Sequence, residues 1–197
     1  MQQYVQKRRP KEELAIVLDF LKNGYPDDPR PLHRREPIVQ AIGKAHFVIL
    51  ELIPQPDQFF KPYDEVYIGE GKRDKISYIK GTLPFNRLTQ TAKTELMFIL
   101  EKMVTDKEKL FVDFYNKSGP ISLRAHQLEL LPGIGKAHAK ELLAEREKEP
   151  FNSFEDIKKR VTSVSDPKKA VINRILAELE GRDRYKIFVG VNHSLVH

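Results

Sequence analysis

The spacing of apolar positions changes once along the chain. Up to about residue 88 they come in short, β-branched or aromatic runs broken by turn residues. Leu14 to Leu21 (LAIVLDFL) is apolar and compatible with a buried strand or a short helix. The stretch NGYPDDPRP that follows is rich in Pro, Gly and Asp and reads as a loop. Pro37–Ile42, Phe47–Ile53, Glu65–Ile68 and Lys75–Ile79 then read as strands, separated by turn material such as Ile42-Gly43-Lys44 and Pro54-Gln55-Pro56-Asp57. Five short strands at this spacing predict a small closed or partly open barrel over residues 1–88.

From Thr89 the period becomes helical. Ala92, Leu96, Ile99, Leu100, Met103 and Val104 fall on one face behind a Thr-rich start. Leu110, Phe111, Phe114 and Tyr115 form a second apolar face, stopped by Asn116-Lys117-Ser118-Gly119-Pro120. Ser153 is a capping residue with Asp156 in the first turn of its helix. Asp166 and Pro167 open a last helix whose stripe is Val171, Ile172, Ile175, Leu176 and Leu179, with Gly181 as its stop. Tyr185–Val191 reads as a strand returning to the barrel's sheet. The pattern thus predicts an α+β chain: a barrel at 1–88, an all-α domain at 89–181, and a terminal strand or tail at 182–197.

Within the helical part, LELLPGIGKAHAKELLAER contains more glycine than a turn requires. One glycine past a helix end suffices for an ordinary turn, and here Gly133 and Gly135 flank Ile134. The spacing suggests that Gly133 takes a positive φ, Gly135 lets another backbone approach, and Ile134 points inward as a wedge. The amides of Gly135, Lys136 and Ala137 then open the next helix, with Lys136 at its mouth and Lys140 one turn on. Such an end suits a phosphate. Leu131 to Gly135, followed by Ala139 and Leu142-Leu143, resembles a helix-hairpin-helix nucleic-acid-binding motif, placed here at 123–146. The resemblance implies hairpin amides that grip a phosphate backbone without reading sequence, and a small Ala139 where two helices cross. Ser153–Leu179 is compatible with a degenerate second copy, which would be structural because its connecting stretch TSVSDP has no Gly-x-Gly.

Charge adds to this picture. The chain carries +6 at pH 7, with a pI near 9.3, which suits an anionic partner. The excess is clustered: Lys7, Arg8, Arg9 and Lys11; Arg30, Arg34 and Arg35; Lys72, Arg73, Lys75 and Lys80. In the loop GEGKRDKI, glycines free the backbone while Lys72, Arg73 and Lys75 supply positive charge for phosphate contact. The spacing is not that of a nucleotide-binding P-loop. Tyr63, Tyr67 and Tyr78 are candidate stacking platforms for bases, or core residues of the strands. Cysteine is absent, which excludes disulfides and thiolate metal sites. The six histidines show no ligand spacing, so neither metal nor cofactor is expected. His126 and His138 bracket the hairpin. No apolar run is long enough to span a bilayer and no signal-peptide core is present, so a cytoplasmic location is expected.

Taken in order, REPIVQAIG, EVYIGEGKRDKI, LTQTAKTEL, FVDFYNKSGPISLRAHQLELLPGIGK and FNSFEDIKKRV resemble an archaeal family of uncharacterised, predicted nucleic-acid-binding proteins. The resemblance implies an OB-like barrel joined to a helix-hairpin-helix (SAM-like) domain, with RNA or DNA as ligand and no established reaction. DNA glycosylases also use this hairpin, but here Glu155 and Asp156 stand where their catalytic acid is sought, at the start of a Ser153-capped helix. The expectation is a non-enzymatic protein that binds a phosphate backbone, RNA favoured over DNA. The alternative is an interaction or assembly module of a ribonucleoprotein or transcription complex.

Overall fold

The computed structural model describes residues 11–183 and 185–191. It is α+β, with a curled antiparallel five-stranded sheet, a half-barrel, and five α-helices among the described residues. Two compact units can be distinguished: residues up to Ile99 together with those from Glu178, and Leu100–Ala177. The basic residues Lys7, Arg8 and Arg9 lie outside the described residues, as do Arg184 and positions 192–197 of the tail.

In the first unit, β1 (Leu14–Leu21), β2 (Ile38–Gly43), β3 (Ile49–Pro54), β4 (Glu65–Tyr67) and β5 (Ile76–Thr82) form one sheet in the order β4-β1-β2-β3-β5. Leu14–Leu21 is therefore a strand. All neighbours are antiparallel, with Val39 opposite Leu52 and Ala41 opposite Leu50. The sheet is not closed: β4 and β5 are its two edges. Register shifts at Val17/Asp19 in β1 and at Glu51/Leu52 and Ile53/Pro54 in β3 accompany its curl. Ala15, Val17, Val39, Ala41, Leu50, Leu52, Phe60, Val66, Ile68 and Ile76 form one buried cluster.

Two buried carboxylates tie this unit's loops. Glu12 accepts the N–H of Ala45 at 2.8 Å and of His46 at 2.7 Å, capping the turn between β2 and β3. Gly43 must lack a side chain there, since a Cβ would lie 2.2 Å from the Glu12 carboxyl. Glu178 accepts three amides, from Ile187 (2.9 Å), Phe188 (3.0 Å) and Val189 (2.9 Å). That arrangement corrects the expected terminal strand: Tyr185–Val191 contains no strand. Its amides are taken by a side chain instead of a ladder. The segment still meets the sheet's turn, where Gly190 N–H donates to His46 O at 2.8 Å.

Helix α1 (Gln90–Asp106) starts at Thr89, whose hydroxyl accepts from Ala92 N–H at 3.0 Å and donates to Asp19 at 2.6 Å. The second unit holds α2 (Glu108–Lys117), α3 (Lys136–Lys148), α4 (Phe154–Arg160) and most of α5 (Pro167–Leu179). Tyr115 is fully buried and donates its hydroxyl to Pro167 O at 3.0 Å. Asn116 makes two bonds to the Phe151 backbone, at 2.8 and 2.9 Å. Ser153 caps α4 by accepting from Asp156 N–H at 3.0 Å, and Asp166 caps α5 by accepting from Lys169 N–H at 2.8 Å.

This unit is not all-α as expected. Gly119 and Pro120 end α2, and the chain folds into a two-stranded ribbon, β6 (Pro120–Ser122) and β7 (Ala125–His126). A four-residue 3-10 turn, Gln127–Leu130, stands where the first helix of the hairpin was expected. His126 N–H donates to Glu129 while His126 Nδ1 accepts from Leu128 N–H, a capping box that closes the single turn.

Candidate nucleic-acid interface

The glycine-rich hairpin begins from three buried anchors, Leu128, Leu131 and Ile134. Arg174 of α5, itself buried, donates to Leu130 O at 3.1 Å and fixes the 3-10 turn from behind. Leu131-Pro132-Gly133-Ile134 is a β-turn closed by Ile134 N–H to Leu131 O at 3.0 Å. Proline at its second position and a φ of +85° at Gly133 give it type II character. Gly133 thus has the positive φ its position requires, and Ile134 points inward, 4% exposed.

Gly135 plays a different part from the one its spacing suggested. It is the N-cap of α3 with φ −89° and ψ −178°, ordinary extended backbone that any residue adopts. A Cβ at Gly135 would meet nothing within 4 Å among the described residues. No neighbouring backbone of the chain therefore requires this glycine. Its effect is to leave the helix start without a side-chain cap. The first intrahelical bond runs from Ala139 N–H to Gly135 O at 2.9 Å, so the N–H groups of Lys136, Ala137 and His138 precede the ladder. The first turn contains no acid. Gly135, Lys136, Ala137 and Lys140 are all exposed, and neither lysine has an ion-pair partner among the described residues. Ala139 and Leu142 form the buried side of α3.

The two histidines beside the hairpin are structural. His138 Nδ1–H donates to Gly133 O at 3.0 Å, bracing the turn. Burial, and after it the Arg146 charge, hold the His126 imidazole below its usual pKa, as its role as a hydrogen-bond acceptor requires.

The second group of expected contacts, Lys72, Arg73 and Lys75, belongs to the other unit, in the loop between β4 and β5. The glycines of this loop make room for Tyr67. A Cβ on Gly69 would lie 2.4 Å from the Tyr67 hydroxyl and one on Gly71 2.9 Å from it, and Gly71 N–H donates to that hydroxyl at 3.0 Å. Arg73 is half-buried and donates through Nε to Gly69 O at 2.8 Å, while Lys72 and Lys75 are exposed. The loop is thus a braced platform carrying two outward lysines, with Arg73 serving partly as its brace. Lys11 pairs with Glu70 on the same loop.

Of the remaining basic residues, Arg34 is exposed, whereas Arg30, Arg35 and Lys80 are engaged internally. Arg30 binds Asp28 through two nitrogens, which lowers the Asp28 pKa to about 2. Arg35 donates to Arg30 O at 2.7 Å and to Tyr25 O at 3.2 Å. Lys80 pairs with the buried Glu51 at 2.5 Å. These residues adjoin or line a cleft of about 450 Å³ formed by Tyr25, Asp27, Asp28, Glu51, Lys80 and Arg87. Tyr25 donates to Glu51 at 3.0 Å and Arg87 stacks 4.7 Å above the Tyr25 ring. Burial foremost, with the Glu51 charge adding, raises the Tyr25 pKa to about 12, so its hydroxyl stays protonated. The tyrosines considered for stacking are not core: Tyr67 holds its loop, Tyr78 donates to Glu36 at 3.1 Å, and the neighbouring Glu95 carboxylate pushes the Tyr63 pKa up.

Among the described residues no helix is long and apolar enough to cross a membrane, and no group of three or more His, Asp or Glu side chains is placed to hold a metal.

These features define an α+β protein with a half-barrel sheet in one unit and, in the other, an uncapped, lysine-flanked helix start on a rigid turn. The chain belongs to the DUF655 family of proteins of unknown function, whose model matches residues 11–190. It is 40% identical over 190 residues, 94% of this chain and 84% of the other, to an uncharacterised protein of Methanocaldococcus jannaschii. It is similar to the crystal structure of a DUF655 protein from Archaeoglobus fulgidus, with a TM-score of 0.82 and 44% identity over 90% of this chain and 99% of that one. Both relatives are archaeal.

Proposed function

We propose that this is a non-enzymatic nucleic-acid-binding protein, RNA favoured over DNA, which holds the phosphate backbone without sequence specificity. The observation that carries the proposal is the open N-terminus of α3. Three amides precede the ladder, the cap residue offers no side chain to satisfy them, and a Cβ added at that cap would meet nothing within 4 Å among the described residues. A helix start so arranged attracts an anionic oxygen through both its N–H donors and its dipole. Lys136 and Lys140 supply charge at the same place. The segment resembles a helix-hairpin-helix in which the first helix is reduced to a 3-10 turn, and the half-barrel resembles an OB-fold left open between β4 and β5. Lys72 and Lys75, held out by the Tyr67-braced loop, form the second contact.

Phosphate contacts position a chain without specifying its sequence, so affinity should depend steeply on salt and hardly on sequence. With about four phosphates neutralised, the slope of log K against log salt is about −3 to −4. Fluorescence anisotropy of short labelled RNA and DNA over a salt series measures it. A flat salt response, or more than a few-fold discrimination between scrambled sequences, rejects this mode of binding; an interaction module would give no binding to either nucleic acid.

A further inference from the structure

The half-barrel unit carries one aromatic ring whose placement differs from that of every tyrosine discussed above. Phe59 and Phe60 are adjacent in the loop that follows β3, yet they have opposite fates. Phe60 is 7% exposed and belongs to the core cluster, whereas Phe59 is 68% exposed. Phe60 anchors the segment and Phe59 is thrown outward beside it.

The loop holding them is tied on both sides of the pair. Pro54, Pro56 and Pro62 restrict its backbone. Gln55 N–H donates to Lys75 O at 2.9 Å before the pair; after it, Tyr63 N–H donates to Val17 O at 2.9 Å and Val17 N–H to Asp64 O at 2.8 Å. Lys61 N–H also donates to the Asp64 carboxylate at 2.9 Å. The ring is held as well. Phe20 meets Phe59 edge-on at 6.2 Å and 83°, and meets Phe60 in the same way at 5.5 Å and 69°. The Lys22 ammonium stands 5.2 Å from the Phe59 ring centroid.

A rigid, exposed ring with a cation on it has the two parts that unpaired nucleotides use: a π-face for the base and a positive charge for the adjoining phosphate. Its order is set before any ligand arrives, so little freedom is lost on contact. We infer that Phe59 and Lys22 form a stacking site for an unpaired base of single-stranded nucleic acid. This rests on the nucleic-acid reading and extends it, because amide and lysine contacts to phosphate accept a duplex equally well, while a base closed in a duplex cannot lie on Phe59. The protein would then prefer single strands through its sheet-bearing unit.

The chain contains no tryptophan, so Phe59→Trp places a single reporter on the proposed site. Phe59 is exposed, and the larger ring keeps the stacking surface. Titration of the full-length variant with a short oligouridine should quench its emission, while a blunt RNA duplex of equal length should leave it unchanged. Phe59→Ala should weaken oligouridine binding by about 5- to 150-fold, the range for loss of one stacked base. Lys22→Ala should lower the salt slope by about one while the Trp quenching in the Phe59→Trp background persists. Anisotropy of labelled oligouridine, read in parallel, separates the two levels of the argument. If oligouridine binds with unchanged Trp emission, or binds Phe59→Ala as tightly as wild type, the stacking site is wrong and the phosphate reading stands. An absence of anisotropy change with any nucleic acid overturns both. A Trp emission shift that depends on protein concentration alone would make the ring a contact between copies of this chain and likewise overturn the proposal.

Discussion

Replacing Gly135 with Asp separates the open helix start as a binding device from the same feature as a mere consequence of folding. Backbone angles of −89° and −178° accept any residue, and an added Cβ has no neighbour within 4 Å, so neither strain nor clash opposes the substitution. The new carboxylate would accept an N–H from the first turn, a few tenths of a kcal/mol better than glycine at an N-cap. It would also add about 0.3 to 1 kcal/mol through the helix dipole, there being no acid in that turn to compete. Stability should rise by about 0.5 to 1.5 kcal/mol, and Tm by about 1 to 6 °C for a chain of this size. Binding should move the other way. The substitution occupies the amides and places a negative charge where the proposed function puts a phosphate, so it should remove a charge-assisted contact worth about 1.5 to 3 kcal/mol, about 10- to 150-fold in affinity. Gly135→Ser, a neutral cap, should stabilise with a smaller loss of binding. Differential scanning calorimetry and anisotropy with short RNA and DNA read both effects. A higher Tm with unchanged affinity would refute the idea that these amides meet the ligand, and a fall in Tm of several degrees would refute the cap geometry on which the calculation rests.

Three further outcomes test the framework around the site. Glu178→Gln leaves one acceptor oxygen for three amides, so unfolding in urea should show a loss of about 2 to 4 kcal/mol, with faster hydrogen exchange at Ile187, Phe188 and Val189. Gly43→Ala drives a methyl to 2.2 Å from the Glu12 carboxyl and should cost about 1 to 3 kcal/mol, whereas in a Glu12→Ala background, already destabilised by loss of the turn's cap, the same substitution should add little. The folded state holds the His126 pKa below the ordinary imidazole value of about 6.5, so the unfolded chain binds the proton more readily; stability from this group is complete above that value and declines as pH falls through it toward the depressed folded pKa. Thermal melts from pH 8 to pH 5 should show the decline, and His126→Asn, an acceptor that does not titrate, should flatten it.

How much of this could be seen in the sequence depends on how local the cause was. Four strands of the half-barrel were legible because β-branched or aromatic runs between Pro and Gly breaks carry their own signal, while Leu14–Leu21 stayed open between strand and helix, and the caps at Ser153 and Asp166 lie beside the turns they cap. The hairpin turn was legible for the same reason, since Pro132 and Gly133 specify its type between themselves. The two helix termini of interest were not equally readable. The start of α3 announces itself through Gly135, whereas the limb before it has the apolar spacing of a helix and forms only a 3-10 turn, closed early by His126 and Glu129. The terminal segment failed as a strand because its amides bind Glu178, a residue that its own alternation of apolar positions cannot reveal.

The glycines teach the sharper lesson, because equal composition proved to have unequal causes. Gly69 and Gly71 stand among lysines, as phosphate-binding loops do, yet their missing side chains are accounted for by the Tyr67 ring and hydroxyl inside the protein. At Gly135 no internal group takes up the space. A glycine whose absent Cβ would collide with the protein is explained by folding. A glycine before open space, at a helix start where Ser or Asp would hold the fold better, has no such explanation from folding. That difference, invisible while both loops are strings of Gly and Lys, is why the hairpin and not the loop between β4 and β5 is the first place to look for the ligand.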